Sequence, residues 1–373
     1  MTTSPNNFTS PDYRVGNHFV GRIPVRNLWL LMLYASNQLR HLGPRGIELE
    51  ENPEKIPDLI AELLADAVEN RIRRNLSFGY EPKFEIRSRV RGRIGHLYTA
   101  RHQLMSKGKI ACDFDELTVD TPRNRLVYSA LKTASRIAGD SKVSKRCSAL
   151  SNTLIAMGVS ATNLGRPTVP INQFGRNDAG DRQMVELARL IFDLKLPTED
   201  IGSNRIFAPD REETWIRKLY EKAVLGFYDL KLSNQGWRVS GGKRLEWQME
   251  EPSAEISSIF PGMEADIVLD RLDLSHRIVI DTKFTSILTQ NRWGSDRLKS
   301  GHIYQIYTYL RSQVGGNDPL VSDASGMLLY PSVGEVIDES VMIQNHKIRF
   351  ATVDLTSDPS SIQDRLLEVI FTD

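Results

Sequence analysis

The chain has 373 residues, 40% hydrophobic and 25% charged, with a formal net charge of +1. That balance is ordinary for a globular protein and provides no global basic field for nucleic acid, so any anion-binding surface must be local. Two distant cysteines, Cys112 and Cys147, form no CxxC, and seven scattered histidines form neither HxxxH nor HExxH, which excludes a disulfide framework and the common zinc motifs. The longest apolar run, residues 28–35, is far short of the ~20 residues a membrane span needs. The polar start lacks a signal region, so the expectation is a cytoplasmic chain with a disordered leader over residues 1–22 and no membrane attachment.

In chain order, the spacing of Val25, Leu28, Leu31, Met32, Ala35 and Leu39 predicts a helix over 24–42, stopped at Gly43-Pro44. A second helix is predicted over 56–75, and Arg71, Arg73 and Arg74 in its last turn suit the helix dipole. Residues 80–94 read as strand with Arg87, Arg89, Arg91 and Arg93 interleaved; they fit a phosphate grip or a solvated sheet face. A strand follows over 109–117. Asp120 or Thr121 then caps a helix over 123–137, which makes capping and loop support the favoured role for the acids of 113–120. Helices over 145–157 and 181–193 flank a Gly-, Pro- and Asn-rich loop over 164–180. The polar stretch 196–204 marks the expected boundary between an N-terminal domain (23–204) and a C-terminal domain (205–373).

The second half reads as a helix over 209–230, a turn at 240–243 between strand-like flanks, a hairpin over 263–284, a helix over 296–314, strands at 327–330 and 348–355, and a closing helix over 360–370. That order fits an α/β sandwich built on a mixed sheet. Within the hairpin, Asp281 and Lys283 share a strand face and Thr282 takes the other, while Asp266 on the partner strand reaches Asp281 if the register allows. Two carboxylates and the Thr282 carbonyl are hard oxygen ligands for Mg2+. Such an ion acidifies a bound water beside a phosphodiester, and Lys283 would orient that water or stabilise developing charge. Glu221, on the helix before the sheet, is expected to point to the metal or the scissile phosphate, and Glu264 is a weaker candidate. Gln305 and Tyr309, four apart on one helix, share a face and are expected to hold the lysine or contact DNA.

This ensemble resembles the PD-(D/E)xK nuclease superfamily. Further motifs narrow the likeness: Ile23-Pro24-Val25-Arg26-Asn27-Leu28 with Met32-Leu33-Tyr34-Ala35, then Gly92-Arg93-Ile94, Phe114-Asp115-Glu116-Leu117 and Asp120-Thr121-x-x-Asn124-Arg125. Together with Met263-Glu264-x-Asp266-Ile267, Asp281-x-Lys283 and Tyr304-Gln305-x3-Tyr309-Leu310, they resemble the McrC family, the nuclease subunits of McrBC modification-dependent restriction systems. The resemblance implies a restriction-endonuclease-like C-terminal fold, preceded by an α+β domain that binds a hexameric McrB-like AAA+ motor and stimulates its GTP hydrolysis. It also implies magnesium, cleavage of double-stranded DNA carrying 5-methylcytosine, and Asp266, Asp281 and Lys283 as the centre, with pairing of two nuclease subunits conceivable. The chain has no Gly-x4-Gly-Lys-Ser/Thr, in keeping with a separate motor. Arg22, Arg26, Asn27 and the Arg87–Arg93 strand are all candidates for stimulating that motor. A non-nucleolytic NTPase activator and a stand-alone RecB-like repair nuclease are the competing readings.

Overall fold

The computed structural model describes residues 23–36, 38–42, 44–161, 179–199, 209–249, 251–253, 255–290, 294–315 and 318–372. The expected leader, Arg22 and nearly all of the expected 164–180 loop lie outside them. The elements run α1 (Val25–Ala35), α2 (Leu39–Leu42), α3 (Pro44–Glu51), α4 (Ile56–Arg73), β1 (Gly79–Arg87), β2 (Arg93–Ile94), α5 (His96–Arg101), β3 (Ile110–Thr118), α6 (Pro122–Ile137), α7 (Ser141–Ala156) and α8 (Ala179–Glu199). They continue with α9 (Pro209–Leu232), β4 (Trp237–Leu245), α10 (Ile256–Ile259), β5 (Met263–Arg271), β6 (Arg277–Thr282), β7 (Leu288–Gln290), β8 (Asp296–Leu298), α11 (Ser300–Arg311), β9 (Ser325–Ser332), β10 (Asp338–Ile343), β11 (His346–Asp354) and α12 (Pro359–Phe371).

The chain forms two compact units, and their division corrects the expected domains. One unit is Lys55–Glu199; the other joins the segment ending at Glu54 to Asp200–Asp373. Residues 23–54 therefore belong with the second half. The reason is a set of long-range polar anchors that no local pattern reveals. Asn27 is 1% exposed, and its Nδ2 donates to the carbonyls of Leu355 (2.8 Å) and Ser357 (2.9 Å). Arg26 pairs with Asp358 at 2.9 Å. Tyr34 meets Phe227 of α9 edge-on, with ring centroids 5.2 Å apart. The buried Glu50 carboxylate accepts from Tyr34 Oη and Lys231 Nζ, each at 2.7 Å. Asn27→Ala leaves two carbonyls without their donor and is expected to cost about 2 kcal/mol, measurable as a lower urea midpoint. An unchanged midpoint would show that α1 is not held this way. The single helix expected over 24–42 is broken at Ser36, whose Oγ bonds Leu33 O (2.7 Å) and accepts from Gln38 N (3.3 Å).

In the Lys55–Glu199 unit, helices α4, α6, α7 and α8 pack together. Asp181, 1% exposed, pairs with Arg71 at 2.7 Å and Arg123 at 2.5 Å, so Arg71 locks helices together where a free terminal charge was expected. Thr121 caps α6, its Oγ1 accepting from Asn124 N at 3.2 Å. Asp120 braces the neighbouring loops, accepting from Arg125 Nε and Ser160 N at 2.8 Å each. The sheet here has the order β1-β3-β2.

In the other unit six strands lie in the order β10-β11-β9-β6-β5-β4. Strand β9 runs parallel to β6 and β11, and the remaining pairs are antiparallel, which is the mixed sheet expected. Helix α11 covers one face, packing Ile306, Tyr309 and Leu310 against Val268, Val279 and Leu328. A Cβ at Gly326 would fall 2.8 Å from Ile306 and 2.9 Å from Leu310, so glycine is what lets α11 approach β9. Helix α9 covers the opposite face, with Leu225 filling the space a side chain at Gly241 would need. The turn expected at 240–243 is absent: β4 runs straight through it, paired with β5 on both sides. The helix expected over 296–314 begins only at Ser300, because residues 296–298 pair with β7. No helix among the described residues is long and apolar enough to cross a membrane.

Candidate active site

The register of the β5–β6 hairpin decides whether the acids meet. Val268 lies opposite Val279 and Ile267 opposite Ile280, where the ladder ends; Asp266 and Asp281 are the next residues on the two strands, and the charge of Asp266 is felt at Asp281. The polar end of the hairpin marks that register, where Asp270 lies opposite Arg277 and accepts from its Nε at 2.5 Å. The Asp266 carboxylate accepts from both the N–H and the hydroxyl of Thr282, each at 2.8 Å on Oδ2. Alternation had turned Thr282 away from the acids. Instead, just past the last β5–β6 pair, Thr282 holds the Asp266 carboxylate in place while β6 remains paired with β9.

Asp281 is 1% exposed and forms an ion pair with Lys283 at 2.6 Å. Burial pushes its carboxyl up to about 6, with the negative charge of Asp266 adding to the rise and the lysine opposing it. Lys283 Nζ also donates to Gln305 Oε1 at 2.9 Å, and Gln305 Nε2 donates to Tyr309 Oη at 2.7 Å. The chain Asp281–Lys283–Gln305–Tyr309 therefore links the end of β6 to one stripe of α11. Tyr309 is buried in the core, which leaves the Gln305 amide little freedom. Burial raises the pKa of the half-buried Glu221, and the charge of Asp266 raises it further, so α9 brings this carboxyl into the field of the acid pair. The Tyr220 ring against Phe284, centroids 5.9 Å apart, fixes α9 beside the segment that leaves β6. Glu264 lies over Gly242 (φ +59°), where a Cβ would stand 2.9 Å from Glu264 Oε1.

Two basic neighbours escaped the sequence reading. His302 Nδ1 is 2.9 Å from Tyr330 Oη, and burial together with the charges of Lys283 and Lys299 lowers its pKa to about 4. Lys299 Nζ donates to Thr285 Oγ1 at 2.6 Å. His302 precedes Gln305 by one helical turn, a spacing that could have marked it.

The donor set suits a hard divalent ion. Two carboxylates repel each other here, one of them buried and paired with Lys283, and a cation would offset that repulsion. Among the described residues no group of three or more His, Cys, Asp or Glu side chains is placed to hold a metal. A metal here would keep water or substrate oxygens in its other positions, as Mg2+ does.

The Lys55–Glu199 unit carries a second exposed feature. The expected arginine strand ends at Arg87, and its charged face is a paired one: Lys83 and Arg91 both meet Glu116, and Arg87 meets Glu85. The guanidinium groups of Arg87 and Arg91 lie over the Phe114 ring. The other face sets Tyr80 opposite Leu117, with Phe84 and Ile86 further along, all exposed.

A family model described as McrBC 5-methylcytosine restriction system component matches residues 5–331. The chain is 25% identical over 348 residues to the Type IV methyl-directed restriction enzyme EcoKMcrBC of Escherichia coli (strain K12), covering 93% of this chain and 97% of that protein. Among solved structures, a half-complex from a tetradecameric assembly of Thermococcus gammatolerans McrB AAA+ hexamers with bound McrC matches with a TM-score of 0.39 and 16% identity, over 84% of this chain and 68% of that one. The Thermococcus gammatolerans McrBC complex matches at 0.30 and 18%, over 48% and 60%.

Proposed function

Because the chain belongs to the McrBC 5-methylcytosine restriction system component family, we propose that it is the McrC-type nuclease subunit, a magnesium-dependent DNA endonuclease that also stimulates GTP hydrolysis by a McrB-like AAA+ partner. The observation that carries the nuclease reading is the buried Asp281 lying within the field of Asp266, with Lys283 held between Asp281 and Gln305. Asp266 and Asp281 would hold the ion, with the Thr282 carbonyl available as a third oxygen. When bound, magnesium lowers the pKa of a coordinated water and shields the phosphate. Thr282 fixes the Asp266 carboxylate, so its free oxygen is already aimed. Lys283 is oriented from two sides and can take a hydrogen bond from, or give one to, the attacking water at Nζ as its protonation dictates. Gln305, anchored by Tyr309, sets the lysine's direction, and Glu221 offers a further carboxyl within the field of Asp266. Double-stranded, methylated DNA is the substrate proposed, by kinship with the methyl-directed relative.

For the partner, Asn27 and Arg26 are already committed to Leu355, Ser357 and Asp358. Arg22 lies outside the described residues, and among the described candidates that leaves the β1–β3–β2 sheet as the proposed motor contact. The test is cleavage of methylated plasmid by the full chain with its McrB-like partner and GTP. Cleavage is expected with Mg2+, to vanish on chelation, and to return when Mg2+ is restored in excess. Stimulated GTP hydrolysis with no cleavage in any divalent metal would favour the non-nucleolytic activator. Full-rate cleavage without the partner would favour a stand-alone nuclease.

A further inference from the structure

Lys299 stands immediately before α11, and its bond to Thr285 ties the start of that helix to the segment just past Lys283. Three other partly buried lysines described in this unit have a carboxylate, Lys231 with Glu50 at 2.7 Å, Lys243 with Asp270 at 3.4 Å and Lys283 with Asp281 at 2.6 Å, whereas Lys347 on β11, away from the acid pair, has none among the described residues. Lys299 is held by a neutral hydroxyl, and burial alone lowers its pKa. His302, one turn on, sits close enough to both Lys283 and Lys299 for their charges to disfavour its imidazolium. Three basic side chains thus gather at the first turn of α11, where the helix dipole is itself positive. Of the two nearby aspartates, Asp281 is committed to Lys283 and Asp266 is held by Thr282, so neither is bonded to Lys299. A half-buried ammonium that gives up water for a neutral oxygen is under-compensated. The arrangement makes sense when an anion completes it.

We propose that Lys299, braced by Thr285 and flanked by His302, forms a phosphate subsite beside the acid pair and receives a backbone phosphate of the strand being cut. This rests on the nuclease reading above. Lys299 supplies the charge, and the neutral His302 supplies a hydrogen bond. Thr285 presets the ammonium, so that little side-chain freedom is lost when DNA arrives.

The test is anisotropy titration of a labelled duplex with the full chain across a KCl series, with calcium in place of magnesium, and cleavage in magnesium with the partner run in parallel. Lys299→Met is expected to weaken binding about five- to tenfold near 0.1 M salt and to flatten the slope of log K against log salt by about 0.9, the loss of one phosphate contact. Lys299→Arg should keep the wild-type slope. Thr285→Val, which leaves the charge but frees it, should weaken binding by a smaller factor with the slope unchanged. The melting temperature of Lys299→Met should equal or exceed that of wild type; a scaffold role would lower it and leave the salt slope alone. If wild type binds and cuts while Lys299→Met keeps the same affinity and slope, the subsite is overturned and the nuclease reading stands. If wild type neither binds nor cuts, both fall.

Discussion

Replacing Asp281 with Asn is expected to reduce magnesium-dependent DNA cleavage at least about 1,000-fold while making the metal-free protein more stable above pH 6. The first effect follows if Asp281 is a ligand, because the neutral amide removes one of the two carboxylates proposed to hold the ion. The second follows from its burial. The folded carboxyl titrates near 6, whereas in the unfolded chain it titrates near its ordinary value of about 3.9. Between those values the folded state holds a proton that the unfolded state has lost. Stability from this group is therefore fully present below pH 4 and lost as pH rises to 6; above that, the buried charge carries its full penalty. A rise of about two units sets a ceiling near 2.7 kcal/mol. The Asp281→Asn substitution would also leave Lys283 without its counter-charge, so a net gain of about 1 kcal/mol is expected. Chemical denaturation at pH 8 should show Asp281→Asn above wild type, and the gap should close by pH 4.5. Cleavage by wild type should fall below pH 6 for the same reason, since the ligand must be ionised. A variant that cuts at the wild-type rate would remove Asp281 from the centre. A variant equally destabilised at both pH values would mean that the ion pair with Lys283 outweighs the cost of burial.

Which parts of this site were legible in the sequence depends on how local their cause is. That Asp281 and Lys283 lie together was legible because residues two apart share a strand face, whereas the register that brings Asp266 near them was left open, since Ile278–Ile280 is buried on both faces. Gln305 and Tyr309 were legible because a spacing of four places both on one stripe of a helix. Thr282 was misread because alternation assumes an intact ladder, and its N–H and hydroxyl reach Asp266 where the β5–β6 pairing gives out. Lys299 and His302 were missed because their meaning lies in Thr285 and Tyr330, which are distant in sequence. Strand β10 was missed because it is exposed along nearly its whole length, so Asp338-Glu339-Ser340 carries no apolar pattern to betray it. Segment 23–54 was assigned to the wrong unit because Asn27 finds its acceptors more than three hundred residues away. Hydrophobic periodicity identifies a helix and its buried stripe; it does not say which surface that stripe meets.

The double substitution Tyr80→Ser, Leu117→Ser is expected to reduce stimulation of the partner's GTP hydrolysis more than tenfold while leaving the chain's own stability unchanged within about 0.5 kcal/mol. Tyr80 is 73% exposed and lies directly across from Leu117, itself 55% exposed. Both share a sheet face with Phe84 and Ile86, and Phe84 extends that surface through an edge contact with Tyr98 of α5. In the isolated chain these side chains bury little, so truncating them forfeits little folding energy. Asp115 and Asp113 lie on the same face, opposite Pro82 and Phe84, so the exposed aromatic and aliphatic side chains are interleaved with acids, as at the polar-rimmed patches that bind partners. Aromatic and aliphatic anchors at the centre of an interface commonly contribute about 2 kcal/mol each, enough for a more than tenfold loss of coupling. The opposite face of the same sheet provides the control. Arg91 is occupied by Glu116 and the Phe114 ring, so Arg91→Ala should disturb the sheet locally and spare stimulation in comparison. Nucleotide hydrolysis by a fixed amount of the motor, titrated with each variant, separates weaker docking from weaker activation by its midpoint and plateau. If Tyr80→Ser, Leu117→Ser stimulates as wild type does while Arg91→Ala fails, the charged face is the contact and the apolar one is not.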